Sequence, residues 1–201
     1  MTPHGHTKPF DHIIIDDFLD ENSFKQVFQE ILSLTPSLVD PKETKAAAVG
    51  GKPIKRGSGI CIDSVYKQRN LSKILTFFDK LFCSDVYSAA NDAGCLFKYY
   101  LKKTNADYTL LQSYGNGDFY DTHDDVALFT SVTLFHKEPK KYTGGILCFP
   151  DYNYEIDLNN NQTIIFPSGI FHKVSKITKK DNDIANNRFT ITKFIHYKTI
   201  N

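Results

Sequence analysis

Gly117-Asp-Phe-Tyr-Asp-Thr-His-Asp-Asp125 lies within a series of short extended segments, and the rest of the chain can be read outward from it. Residues i and i+2 of an extended backbone point to one face, so His123 and Asp125 can grip one cation together. Residues 108–114 before it, and 129–135, 145–149, 162–166, 171–177 and 188–197 after it, are rich in β-branched and aromatic residues and read as strands. Turn signals separate them: Gly115-Asn116-Gly117, Gly144-Gly145, Asn159-Asn160-Asn161, Pro167-Ser168-Gly169 and Asn186-Asn187. Residues 177–187 read as an extended hairpin turn.

The first half has a different character. Residues 10–18 contain the run Ile13-Ile14-Ile15 and read as a strand. Asp20 is placed to cap a helix over 21–33, with Phe24, Val27, Phe28, Ile31 and Leu32 on one face. Residues 40–59 mix glycine, proline and lysine without periodicity. They predict a mobile loop able to close as a flap, with Lys42, Lys45, Lys52, Lys55 and Arg56 as its cations. Helices are predicted over 71–82 and 86–92, the latter ended by Gly94, and a strand over 96–102. The N-terminal segment carrying His4, His6 and His12 reads as a flexible terminus. Helices followed by many short strands predict a mainly β fold with α support (α+β), in one domain: support over 1–95 and a β core over 96–201.

Composition narrows the function. Twenty-four basic against 23 acidic residues leave a formal charge of +1, which gives no electrostatic case for a nucleic-acid partner. No apolar run approaches the roughly 18 residues of a membrane span. Cys61, Cys83, Cys95 and Cys148 are scattered, as thiols in a reducing compartment would be. Met1 to Lys8 has no apolar signal core, so a cytoplasmic location is expected.

The chemistry gathers around His123 and Asp125. A second histidine, His172, follows 49 residues after His123, beyond the Pro167-Ser168-Gly169 turn. Two imidazoles and one carboxylate on a β scaffold form a facial set for Fe(II) that leaves three positions open. The same set can hold Zn(II) for hydrolysis, and a jelly roll that merely binds a partner is a third reading. Arg188 opens the last strand, and alternation places Thr190 and Thr192 on its face. A guanidinium with two hydroxyls suits a carboxylate. Such a clamp favours an oxygenase with a dicarboxylate cosubstrate over zinc hydrolysis. His136 and His196 read as structural.

Over roughly 110–197 the sequence resembles the 2-oxoglutarate- and Fe(II)-dependent oxygenases, in their prolyl 4-hydroxylase-like branch. The motifs that carry the resemblance are Tyr114 to Tyr120, His123-Asp-Asp125, Gly144 to Pro150, Ile165 to Ser168, His172 and Arg188 to Ile195. It implies a double-stranded β-helix (jelly roll) flanked by N-terminal helices, with His123, Asp125 and His172 holding Fe(II). Arg188 would bind the distal carboxylate of 2-oxoglutarate. Tyr114 would hydrogen-bond the cosubstrate, with Thr190 and Thr192 as further candidates. It implies hydroxylation of an unactivated C–H bond by O2 with release of succinate and CO2. The implied substrate is a prolyl residue of a peptide or protein, or alternatively a free amino acid or other small metabolite. Ascorbate is a further candidate cofactor. Related halogenases lack the carboxylate, so Asp125 favours hydroxylation. Two features depart from the pattern. The gap from His172 to Arg188 is 16 residues, and Leu134-Phe135-His136 stands where relatives often carry a tyrosine.

Overall fold

The structure is a computed structural model that describes residues 1–41, 48–49 and 52–198. Two antiparallel sheets build it. The larger runs in the order Thr2–His6, His12–Asp16, Thr163–Pro167, Phe129–Phe135, Arg188–His196, Ala106–Tyr114, Ser58–Cys61. The smaller runs Tyr154–Ile156, Leu147–Phe149, His172–Val174, Phe119–His123, Lys55–Arg56. They face one another as a jelly roll and do not close into a barrel.

Alternation along the central strands sends side chains into two cores. Val132, Leu134, Ile164 and Phe166 of the large sheet meet Leu147 and Phe149 of the small one between the sheets. Ile165, Phe189, Ile191 and Ile195 project from the opposite face of the large sheet against Val27, Ile31, Ile74 and Phe78 of the helices. Phe129–Phe135 is therefore buried at every position, as a strand covered on both faces must be. Each fully buried large apolar side chain contributes on the order of 1.5–3 kcal/mol.

Glu21–Leu34 is a helix as its periodicity predicts, and the Asp20 carboxylate accepts the Ser23 backbone N–H at its start. Glu30 on that helix ties down the helix Lys73–Phe78: Ser72 Oγ and the Ile74 N–H donate to its two oxygens at 2.7 and 2.9 Å. The helix predicted over 71–82 is thus shorter, continuing as a 3-10 turn over Asp79–Phe82. Ser84–Asp92 is helical, and Gly94 at φ +117 ends it.

Four further expectations are corrected. Residues 96–102 do not form a strand, because Cys95–Leu101 is a helix. Its buried side chains, Phe97 and Leu101, are four apart, while Tyr99 and Tyr100 stay exposed, which is helical rather than alternating burial. The N-terminus is not a free tail: Thr2–His6 pairs along its whole length with His12–Asp16, and His6 stacks on His12. Gly5 makes this possible, since a Cβ there would fall on the Ala89 carbonyl oxygen of the neighbouring helix. The loop predicted over 40–59 lies partly outside the described residues, at 42–47 and 50–51. Its far end is ordered sheet: Lys55–Arg56 pairs with Phe119–His123, and Ser58–Cys61 with Ala106–Tyr114. Residues 177–187 do not form the predicted hairpin turn, because the strands they join lie in different sheets; Thr178–Lys179 pairs with Tyr142–Thr143 before a 3-10 turn at Ile184–Asn186. No helix among the described residues is long and apolar enough to cross a membrane.

Candidate metal and cosubstrate site

His123 ends one strand of the small sheet, and His172 begins the strand beside it, directly across the ladder. The backbone then turns, and Asp125 is pinned by its N–H donating to the Ser168 carbonyl at 3.0 Å. The three side chains thus converge from residues 49 apart in sequence, with one ligand atom of each within 4.8 Å of the others.

Each imidazole is oriented from behind. His123 Nδ1 lies 2.7 Å from the Asp121 carbonyl and His172 Nδ1 2.9 Å from that of Ile170. A carbonyl only accepts, so Nδ1 carries the proton and Nε2 presents its lone pair to the shared point. Nε2 of His123 stands 3.8 Å and Nε2 of His172 3.4 Å from the Asp125 oxygens. Thr130 Oγ1 donates to Asp125 Oδ2 at 2.7 Å, and Ser168 Oγ lies 2.9 Å from the Thr130 hydroxyl. Burial, reinforced by the charge of His172, pushes His123 down to about 4. Burial works against ionisation of Asp125, but the contacts from His172, Thr130 and His123 hold its carboxyl below the usual range. A neutral imidazole at His123 and a carboxylate at Asp125 are protonation states a divalent cation needs.

These residues border a cavity of about 380 Å³ between the sheets. Tyr114 borders it too, as do Arg188, Thr190 and Thr192, which alternation placed on one face. Arg188 is 2% exposed, and its Nη1 has no hydrogen-bond partner among the described residues. The Tyr142 hydroxyl is likewise buried without a hydrogen-bond partner among the described residues. Burial raises the phenols of Tyr114 and Tyr142 well above their ordinary range, so both are neutral donors. A buried cation with orphaned N–H groups beside protonated phenols fits a carboxylate ligand. Thr190 and Thr192 turn their hydroxyls to Gln112 Oε1 at 3.4 and 3.3 Å.

Four participants were not singled out from the sequence. Gln112 shares the face of Tyr114 two residues away, a signal that alternation carried. Thr130, Ser168 and Tyr142 carried none, because only packing brings them here. Lys55, expected on a mobile loop, instead lines the cavity, 7% exposed, with Nζ 4.6 Å from the Tyr120 ring centroid. That ring in turn stacks on His123 at 3.5 Å. Burial pushes the Lys55 ammonium down to about 8, partly offset by the charge of Asp125.

Residues 109–196 match the family model of the 2OG-Fe(II) oxygenase superfamily, leaving the N-terminal support outside the match. The match agrees with the resemblance read from the sequence, and the family it points to is one that uses Fe(II) and 2-oxoglutarate. The fold is similar to that of a prolyl-4-hydroxylase from Pseudomonas putida, with a TM-score of 0.63 and 17% identity over 94% of this chain and 93% of that one. It is also similar to the viral collagen prolyl hydroxylase of Paramecium Bursaria Chlorella virus-1, at 0.59 and 12% over 93% and 96%. A 2OG-Fe(II) oxygenase family oxidoreductase from Burkholderia pseudomallei gives 0.59 and 13% over 92% and 84%. At these identities the likeness speaks to fold.

Proposed function

We propose that His123, Asp125 and His172 hold Fe(II), that Arg188 holds the distal carboxylate of 2-oxoglutarate, and that the protein hydroxylates an unactivated C–H bond, with a prolyl residue of a peptide or protein as its substrate. The observation that carries this reading is one cavity bordered by both the convergent His-Asp-His set and a buried guanidinium with an unpartnered N–H. The guanidinium is what a zinc hydrolase or a silent jelly roll would not require.

Bound Fe(II) and 2-oxoglutarate supply the oxidising chemistry, with O2 consumed and succinate and CO2 released. The chain supplies geometry. The Asp121 and Ile170 carbonyls fix the imidazoles, and Thr130 fixes the carboxylate. Tyr114, which borders the cavity beside Arg188, would donate to the same carboxylate. Leu110, Val132 and Leu147 give the cavity apolar walls, which disfavour water beside the reacting groups. The prolyl assignment draws support from the sequence resemblance and from two fold neighbours that are prolyl hydroxylases.

The test is an anaerobic titration of metal-free protein with Fe(II), then 2-oxoglutarate, followed by the visible charge-transfer band of the chelate. The band should need both additions, vanish in His123→Ala and require more 2-oxoglutarate in Arg188→Ala. Succinate release should then rise with a prolyl peptide. A protein that retains no iron and gives no band refutes the oxygenase reading. A band without peptide stimulation refutes the prolyl substrate alone.

A further inference from the structure

Lys55 is a second cation in the cavity, and the cofactor set leaves it without a task. Its backbone is fixed: Lys55 pairs across from Tyr120, and the adjoining Ile54 carbonyl accepts the Asp121 N–H at 2.6 Å. The root of the side chain is therefore held in the sheet, and its Nζ lies over the Tyr120 ring. Among the described residues no carboxylate lies within ion-pair distance of the ammonium. Its contacts are the Tyr120 ring and the more distant charge of Asp125. A buried ammonium so poorly compensated is costly unless something binds it.

Loading the site sharpens the demand. On the reading above, Arg188 and the distal carboxylate of 2-oxoglutarate cancel. A divalent cation, Asp125 and the chelating carboxylate cancel as well. Lys55 then remains as one uncompensated positive charge beside a metal. Asp124 also borders the cavity, but it is exposed, so solvent screens its charge. The remaining cavity wall is largely apolar, with Tyr108, Leu110, Val132, Val174 and Phe194 around it. Such a wall holds a hydrocarbon body and leaves Lys55 to fix one charged end.

We propose that Lys55 is the specificity-determining residue: it binds a carboxylate of the substrate, placed next to the C–H bond that is oxidised. This inference rests on the oxygenase reading of the site and adds the substrate's charge to it. The carboxylate has two sources, the free α-carboxylate of an amino acid or the side chain of an acidic residue beside the target in a peptide.

The experiment uses the full chain loaded anaerobically with Fe(II) and 2-oxoglutarate, and reads probe affinity from the perturbation of the charge-transfer band. The probes are two matched pairs: L-proline against L-prolinamide, and acetyl-Asp-Pro-amide against acetyl-Asn-Pro-amide. One carboxylate probe should bind about tenfold or more tightly than its neutral twin, as a charged hydrogen bond in a dry site does. Lys55→Met should bring that probe down to its twin's affinity, Lys55→Arg should restore part of the difference, and the 2-oxoglutarate requirement should stay within about twofold. Preference within the first pair identifies a free amino acid, and within the second an acidic peptide. If neither carboxylate shows a Lys55-dependent advantage, or if Lys55→Met instead raises the 2-oxoglutarate requirement, the assignment of Lys55 is overturned while the oxygenase reading stands. If wild-type protein forms no band, the oxygenase reading falls and takes this inference with it.

Discussion

Arg188 stands directly across the sheet from Tyr114, and its guanidinium carbon lies 5.4 Å from the centre of the tyrosine ring. Both side chains are buried, and the ring offers the guanidinium a face but no acceptor. On the proposed reading the pair is a preformed binding site whose stability cost is carried until a ligand arrives.

Arg188→Met should therefore act in opposite directions on stability and on ligand binding. Removing a buried cation with an orphaned N–H should leave the cosubstrate-free protein as stable or more stable, by about 1–4 kcal/mol. The same change should abolish the rise in thermal midpoint that 2-oxoglutarate gives the wild type. Thermal unfolding with and without 2-oxoglutarate checks both, and a variant still stabilised by the ligand would remove Arg188 from the clamp.

Gly145 supports Arg188 by its lack of a side chain. Its φ is +74, and an added Cβ would stand 2.5 Å from Arg188 Cδ and from Ile177 Cδ1. Gly145→Ala should cost about 1–2 kcal/mol through the left-handed backbone alone. It should also displace the guanidinium and raise the 2-oxoglutarate requirement without loss of Fe(II) binding. Parallel metal and cosubstrate titrations separate the two effects.

Lys193 lies on the opposite face of the strand that carries Arg188. It is fully buried, ion-paired to Asp107 and to Asp79 at 3.5 Å, with Arg69 joining both carboxylates at 3.3 Å. Asp107→Ala should cost about 3–5 kcal/mol by stripping a buried ammonium of its nearest partner, whereas Lys193→Met should be nearly neutral. Denaturant melts of the two variants give the comparison. Cosubstrate affinity should be unchanged in Lys193→Met, since the cluster faces away from the cavity.

The metal-free protein should lose stability on mild acidification. His123 is held at about 4, while an exposed histidine titrates near 6.5. Between those values the unfolded chain takes a proton that the folded one refuses, so stability falls as pH falls through that window. His123 alone accounts for about 1 kcal/mol by pH 5.5. His12 and His136, lowered by burial, add to it in the same direction. Thermal midpoints at pH 7 and 5.5 for wild type and His123→Gln measure the share, which should shrink in the variant.

Local pattern carried much of this fold. The cap at Asp20, the apolar face of Glu21–Leu34 and the alternation that aligns Arg188, Thr190 and Thr192 all depend on residues close in sequence. His123, Asp125, His172, Arg188 and Tyr114 could be singled out because each sits in a recognisable local motif, and one cavity is bordered by all five. The segment 95–101 misled because its aromatic run has strong strand propensity, and packing of Phe97 and Leu101 against the core overrode it. What only the tertiary structure decided is which distant groups meet. Pairing of Lys55 with Tyr120 turned an expected mobile loop into a wall of the cavity, and sheet packing left Arg188 and Tyr142 buried with unmatched donors. Burial and charge compensation depend on the whole chain's geometry, and they are what set the chemistry of this site.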